Sequence, residues 1–130
     1  MSYTITNLND VPDAAPGFGI GDIQEARFAR EPLQAVDTGV AYYRIHPGRR
    51  QSFGHRHQKA EEIYVVLAGS GSVALDSEVR SLGTHDALRV APEVLRAFEA
   101  GPEGMELLVF GPHHEGDGEM VHEGFWPAAG

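Results

Sequence analysis

From residue 38 onward, apolar and polar positions alternate in short runs, and most of the runs are closed by glycine or proline. "TGVAYYRIHPG" is β-branched and aromatic and stops at Pro47-Gly48. "RQSFGHRH" is short and alternating, "EEIYVVLAG" is strongly apolar and stops at Gly69, and "GSVALDSE" follows a tight glycine turn. "DALRVAP", "LRAFEAGP" and "MELLVFGP" complete the series, each ending at proline. Runs of this length with regular turn signals predict an antiparallel sandwich or barrel. The period-two rule then assigns faces. If Glu62 points inward, so do Tyr64 and Val66, while Ile63, Val65 and Leu67 meet another layer or a partner subunit. Arg96 and Phe98 share an inner face, and Ala97 and Glu99 point away. Tyr42 and Arg44 share a face whose direction the pattern leaves open.

The ends read differently. Residues 1–20 are polar and rich in proline and glycine, with one short strand expected at Tyr3–Asn7. In "DIQEARFAREPL", Asp22 and Glu25 have capping-box spacing, yet Glu25 to Phe28 alternate, so 22–33 reads as either helix or strand. The tail "HHEGDGEMVHEGFWPAAG" carries the single tryptophan, Trp126, beside Phe125, and this pair is expected to pack back on the barrel or on a second subunit.

A chain of 130 residues with 42% apolar content suits one domain, here a barrel core of about 38–111 between an N-terminal arm (1–37) and a C-terminal tail (112–130). The formal charge is −9, from 10 basic against 19 acidic residues, which argues against nucleic acid and anionic membranes as partners. Nine of the ten basic residues are arginine, the exception being Lys59. The absence of cysteine removes disulfides and thiolate-bound zinc. The first residues show no secretory pattern and no apolar run approaches the ~20 residues of a membrane span, so a cytoplasmic protein is expected. No glycine-rich phosphate loop follows a strand, and the "GSG" at Gly69–Gly71 reads as a hairpin, with Ser70 and Ser72 in its turn.

Candidate chemistry concentrates in "GHRHQKAEE". On a strand, His55 and His57 point to one side with Cα atoms ~6.5–7 Å apart. Two imidazoles so placed can share one cation at ~2.0–2.1 Å. A turn at Gln58–Glu61 would return the next strand antiparallel to the first and bring Glu62 to the same point. Two imidazoles and one carboxylate on one side of a cation is a donor set of non-haem iron and related sites. Solvated, idle histidines on a strand edge are the ordinary alternative, and for His46, His85, His113, His114 and His122 a turn, loop or tail position is expected.

The run from Gly48 through His55, His57 and Glu62 to Gly69 resembles the first motif of the cupin superfamily, with six rather than the usual five residues between the first glycine and the first histidine. Residues 83–101 have the outline of the second motif. The resemblance implies an all-β, cupin-type jelly-roll β-barrel of two antiparallel sheets, a homodimer, and a small-molecule site inside the barrel. It also implies a divalent transition metal (Fe, Mn, Ni, Zn or Cu) on His55, His57 and Glu62. The second-motif histidine is replaced by Arg96, which has no lone pair to donate and is always charged. Three outcomes stay open: a metal on the remaining three residues with Arg96 turned aside, an Arg96–Glu62 pair in place of the metal, or Arg96 binding an anionic group beside a metal. The expected function is a metal-dependent enzyme of dioxygenase or isomerase type, or else a metal-free binding or sensing module. Tyr64, Phe98, Arg44 and Arg96 are the candidate substrate-binding residues.

Overall fold

A computed structural model describes residues 2–123 and 126–127. It contains eight strands: β1 (Gln24–Phe28), β2 (Thr38–Ile45), β3 (Gly54–His57), β4 (Glu62–Leu75), β5 (Glu78–Leu82), β6 (Ala87–Val90), β7 (Arg96–Pro112) and β8 (Gly118–Val121). One short helix, α1 (Arg30–Leu33), follows β1, so the alternation at Glu25–Phe28 is a strand, and the helix begins at Arg30 behind Ala29 rather than at the Asp22–Glu25 pair. No strand forms at Tyr3–Asn7; the arm instead makes two 3-10 turns, Leu8–Asp10 and Ala15–Phe18.

All pairings are antiparallel, and the strands form one curled sheet of the jelly-roll type. Its shape comes from β4 and β7, which run side by side for almost their whole length and bend together. The first half of β4 and the second half of β7 belong to a leaf ordered β1-β2-β7-β4-β6. Their other halves belong to a facing leaf ordered β8-β3-β7-β4-β5. The expected hairpin at Gly69–Gly71 is therefore a corner inside one 14-residue strand, and Ser70 and Ser72 are strand residues. Glycine is required there by contact. A Cβ on Gly69, whose φ is 77°, would lie 2.0 Å from the Gly104 carbonyl oxygen, and one on Gly71 would lie 2.1 Å from that of Glu99. The register shifts between Gly69 and Gly71, and once more between Val66 and Ala68, as bulges do where strands turn a corner.

The space between the leaves holds the main core, including Ile45, Tyr64, Val66, Phe98, Met105 and Leu107. Inward parity holds for Tyr64 and Val66, each about 1% exposed. The opposite face of β4 is less covered than expected, and Leu67 is 41% exposed. A second cluster of Ala15, Ile20, Ile23 and Ala26 fastens the arm to β1, and Asp13 Oδ1 accepts from the Ala15 and Ala26 amides at 3.0 and 2.9 Å. The tail returns to the body: β8 pairs with β3, and Trp126 Nε1 donates to the Gln51 carbonyl at 3.1 Å beneath the Arg50 guanidinium. Phe125 lies outside the described residues.

Candidate metal centre

β3 presents His55 and His57 to one side, while Arg56 between them turns out to pair with Glu119 at 2.9 Å. Glu62 reaches the histidines from the facing leaf. β3 bonds to β7 and β8 and not to β4, which corrects the expectation of an antiparallel return beside it. The three side chains thus meet across the barrel interior. Their donor atoms lie within 4.8 Å of one another, and Glu62 Oε1 is 3.3 Å from Nε2 of each imidazole. Two ligands ~2.1 Å from one cation, at 90–110° to each other, stand roughly 3.0–3.4 Å apart, so the spacing suits a shared ion.

Glu62 Oε1 also accepts from the Tyr64 hydroxyl at 2.7 Å and from Arg96 Nη1 at 3.1 Å. His57 Nε2 is left buried without a hydrogen-bond partner among the described residues. Its other nitrogen, Nδ1, lies 3.3 Å from Asp117 Oδ2 and is likewise buried without a hydrogen-bond partner among the described residues. A carboxylate there favours the proton on Nδ1 and directs the Nε2 lone pair at the centre. Asp117 is itself fixed, accepting from the Lys59 and Ala60 amides at 2.9 Å each. Burial pushes its carboxyl up, but these amides and the nearby His57 and His114 hold it below the usual range. For Glu62, burial likewise pushes upward, and the neighbouring His55 and His57 imidazoles with the Tyr64 hydroxyl outweigh it, so the carboxyl sits well below the ordinary range.

Arg96 has 0% exposure and donates its second terminal nitrogen to the Ala91 carbonyl at 2.8 Å. It lies behind Glu62 and lines neither of the two chambers described below. Together Glu62, Asp117 and Arg96 carry a formal −1 (two carboxylates against one guanidinium), which still favours a cation between the imidazoles. Tyr64, tilted at 42° against Phe98 with 4.7 Å between centroids, is likewise a layer beneath the opening. Arg44 is not brought to the centre: its side chain is 60% exposed and pairs with Glu25 at 3.5 Å on the outer face of β2.

Two chambers adjoin the centre. One of about 300 Å³ is walled by Phe18, Ile20, Phe28, Phe53 and Met120, with His55, His57 and Glu62 at its polar end. The other, about 160 Å³, includes His113, His114 and Asp117 and again touches His57 and Glu62. His122 packs its ring on Phe53 at 5.7 Å. Sequence reasoning missed two residues here. Asp117 arrives from a polar glycine-rich tail whose pairing with β3 is a long-range event. Tyr43 borders both chambers; its signal was the parity of β2, in which Ala41 and Ile45 are buried and Tyr42 and Arg44 therefore face out.

Comparison with known proteins follows the same lines. Residues 41–111, more than half of the 130, match the family model described as Cupin domain. The polyketide cyclase RemF from Streptomyces resistomycificus is 18% identical with a TM-score of 0.74, covering 93% of this chain and 87% of that one. A cupin protein from Bacteroides fragilis is 21% identical with a TM-score of 0.70, covering 89% and 88%. The oxalate decarboxylase of B. subtilis is 20% identical with a TM-score of 0.70, and the match spans 91% of this chain but only 33% of that longer one. No curated protein matches the chain significantly in sequence.

Proposed function

The chain belongs to the cupin domain family, and we propose on that premise that it is a metal-dependent enzyme acting on a small organic molecule. His55 Nε2, His57 Nε2 and a carboxylate oxygen of Glu62 hold one divalent transition metal, of the series Fe, Mn, Ni, Zn and Cu. The observation that carries this reading is the buried Nε2 of His57, without a hydrogen-bond partner among the described residues, set 3.3 Å from a carboxylate oxygen, with Asp117 3.3 Å from its other nitrogen. When bound, the metal supplies a Lewis acid that polarises an oxygen of the substrate. The chain's own groups do the rest. Asp117 fixes the His57 tautomer, Tyr64 and Arg96 hold the Glu62 carboxylate in place, and the apolar walls of the larger chamber exclude water. A reaction of dioxygenase or isomerase type fits such a site. The reading includes a cytoplasmic homodimer, in which a second copy would cover the exposed Ile5 and Val36, 87% and 81% accessible.

The Arg96–Glu62 contact favours one other reading, a metal-free binding module in which the guanidinium alone neutralises Glu62. Thermal unfolding with and without added metal separates the two, because a ligand that binds only the folded state raises its stability. The melting temperature should rise with at least one of the five metals and fall with chelator, and His55→Ala/His57→Ala should respond to neither. A wild-type curve indifferent to all five metals would leave the site to the ion pair.

A further inference from the structure

Three tyrosines come from β2 and β4, Tyr64 and Tyr43 facing inward and Tyr42 outward, and their hydroxyls differ in what they have to do. Tyr42 donates to Glu106 on the outer side of β2. Tyr64 donates to Glu62. Tyr43 alone has no hydrogen-bond partner for its hydroxyl among the described residues, although its ring is well held. Phe28 meets it edge-on at 6.2 Å between centroids, and it packs against both apolar clusters of the molecule. It borders both chambers, beside His57 and Glu62. Burial first, then the charge of Glu62, push its phenol above the ordinary range, so the oxygen keeps its proton.

The larger chamber combines this free donor with walls of phenylalanine, isoleucine and methionine. Its remaining amides are engaged with each other, Gln51 Nε2 donating to Gln24 Oε1 at 2.8 Å. Apolar pockets with a few placed polar groups bind apolar ligands and orient them by those groups. We infer that the chamber of about 300 Å³ takes an apolar, ring-bearing molecule with an oxygen acceptor, and that the Tyr43 hydroxyl donates the hydrogen bond that fixes that oxygen beside Glu62 and the histidines. The inference rests on the reading of this chamber as the substrate site, and it makes Tyr43 a substrate-orienting residue.

The test uses the full-length protein, once as purified and once after chelation, with 1-tetralone and its deoxygenated counterpart tetralin as probes. The wild type should bind the ketone about 3–10-fold more tightly than the hydrocarbon even without metal, the ratio one hydrogen bond supplies. Tyr43→Phe should abolish that preference while leaving tetralin affinity and metal content unchanged. The infrared carbonyl stretch of bound tetralone supplies an independent readout in the wild type, expected below its value in an apolar solvent. An undiminished preference in Tyr43→Phe, an unshifted carbonyl, or failure of both probes to bind would overturn the inference. Because the chelated arm needs no metal, these outcomes are separate from a failure of the metal reading, which metal-dependent melting reports.

Discussion

Replacing Arg96 by methionine removes a charge that has no contact with water while keeping most of its volume. Arg96 Nη1 lies 3.1 Å from Glu62 Oε1. At an effective dielectric constant of about 20, unit charges at that separation attract by roughly 5 kcal/mol. Desolvation costs several kcal/mol per ion, on the order of the attraction, so the intact pair contributes little net stability. Losing one partner is a different matter. The Glu62 side chain is 16% exposed and would keep its charge without the guanidinium that balances it. Breaking a buried pair in this way costs about 3–5 kcal/mol. Urea unfolding in the presence of chelator, followed by circular dichroism, should show the midpoint falling by roughly 2 M, given a slope near 2 kcal/mol/M. Arg96→Met/Glu62→Gln should recover most of the loss, since neither charge then remains. A loss under about 1 kcal/mol in the single variant, or a double variant as unstable as the sum of the two singles, would refute the account of Arg96 as the buried counter-charge of Glu62.

Asp117→Asn should weaken metal binding about 10–100-fold in a competition titration, because the carboxylate facing His57 Nδ1 is lost, and an unchanged affinity would remove Asp117 from the site. Gly71→Ala places a methyl 2.1 Å from the Glu99 carbonyl oxygen and should cost roughly 2 kcal/mol or more in urea unfolding, whereas Gly17→Ala, with nothing within 4 Å, should be near neutral. Stability should also fall on acidification. The folded Glu62 carboxyl releases its proton more readily than the unfolded one, near pH 4.3, so its contribution is present above that pH and fades as pH drops below it. Glu62→Gln should flatten that limb of the pH–stability curve, and an unaltered acid limb would contradict the assignment.

Much of the barrel was legible because period-two alternation and turn residues are local signals. The runs at 38–48, 86–92 and 105–112 contain strands β2, β6 and the second half of β7. Local signals failed at the corners. Gly69, Gly71 and Gly101 read as turns because glycine ends strands far more often than it lets two strands cross closely, and only the partner backbone distinguishes the cases. At the centre, His55, His57 and Glu62 were legible from spacing, but the route by which Glu62 arrives was not: sequence proximity suggested adjacent strands, and the structure uses facing leaves. Asp117 comes to His57 through the pairing of β8 with β3, across some sixty residues of chain, with no motif to announce it. Tyr43 lay hidden beside Tyr42 because alternation tells two neighbours apart only once the direction of one of them is known.

The central claim is that His55, His57 and Glu62 hold a metal despite Arg96. Elemental analysis of the protein, purified without a histidine tag or chelator, tests it most directly, with His55→Ala/His57→Ala prepared alongside. The account predicts close to one Fe, Mn, Ni, Zn or Cu per chain in the wild type and none in the double variant. A wild type that stays free of metal after incubation with each of the five, or a double variant that retains it, would contradict the claim.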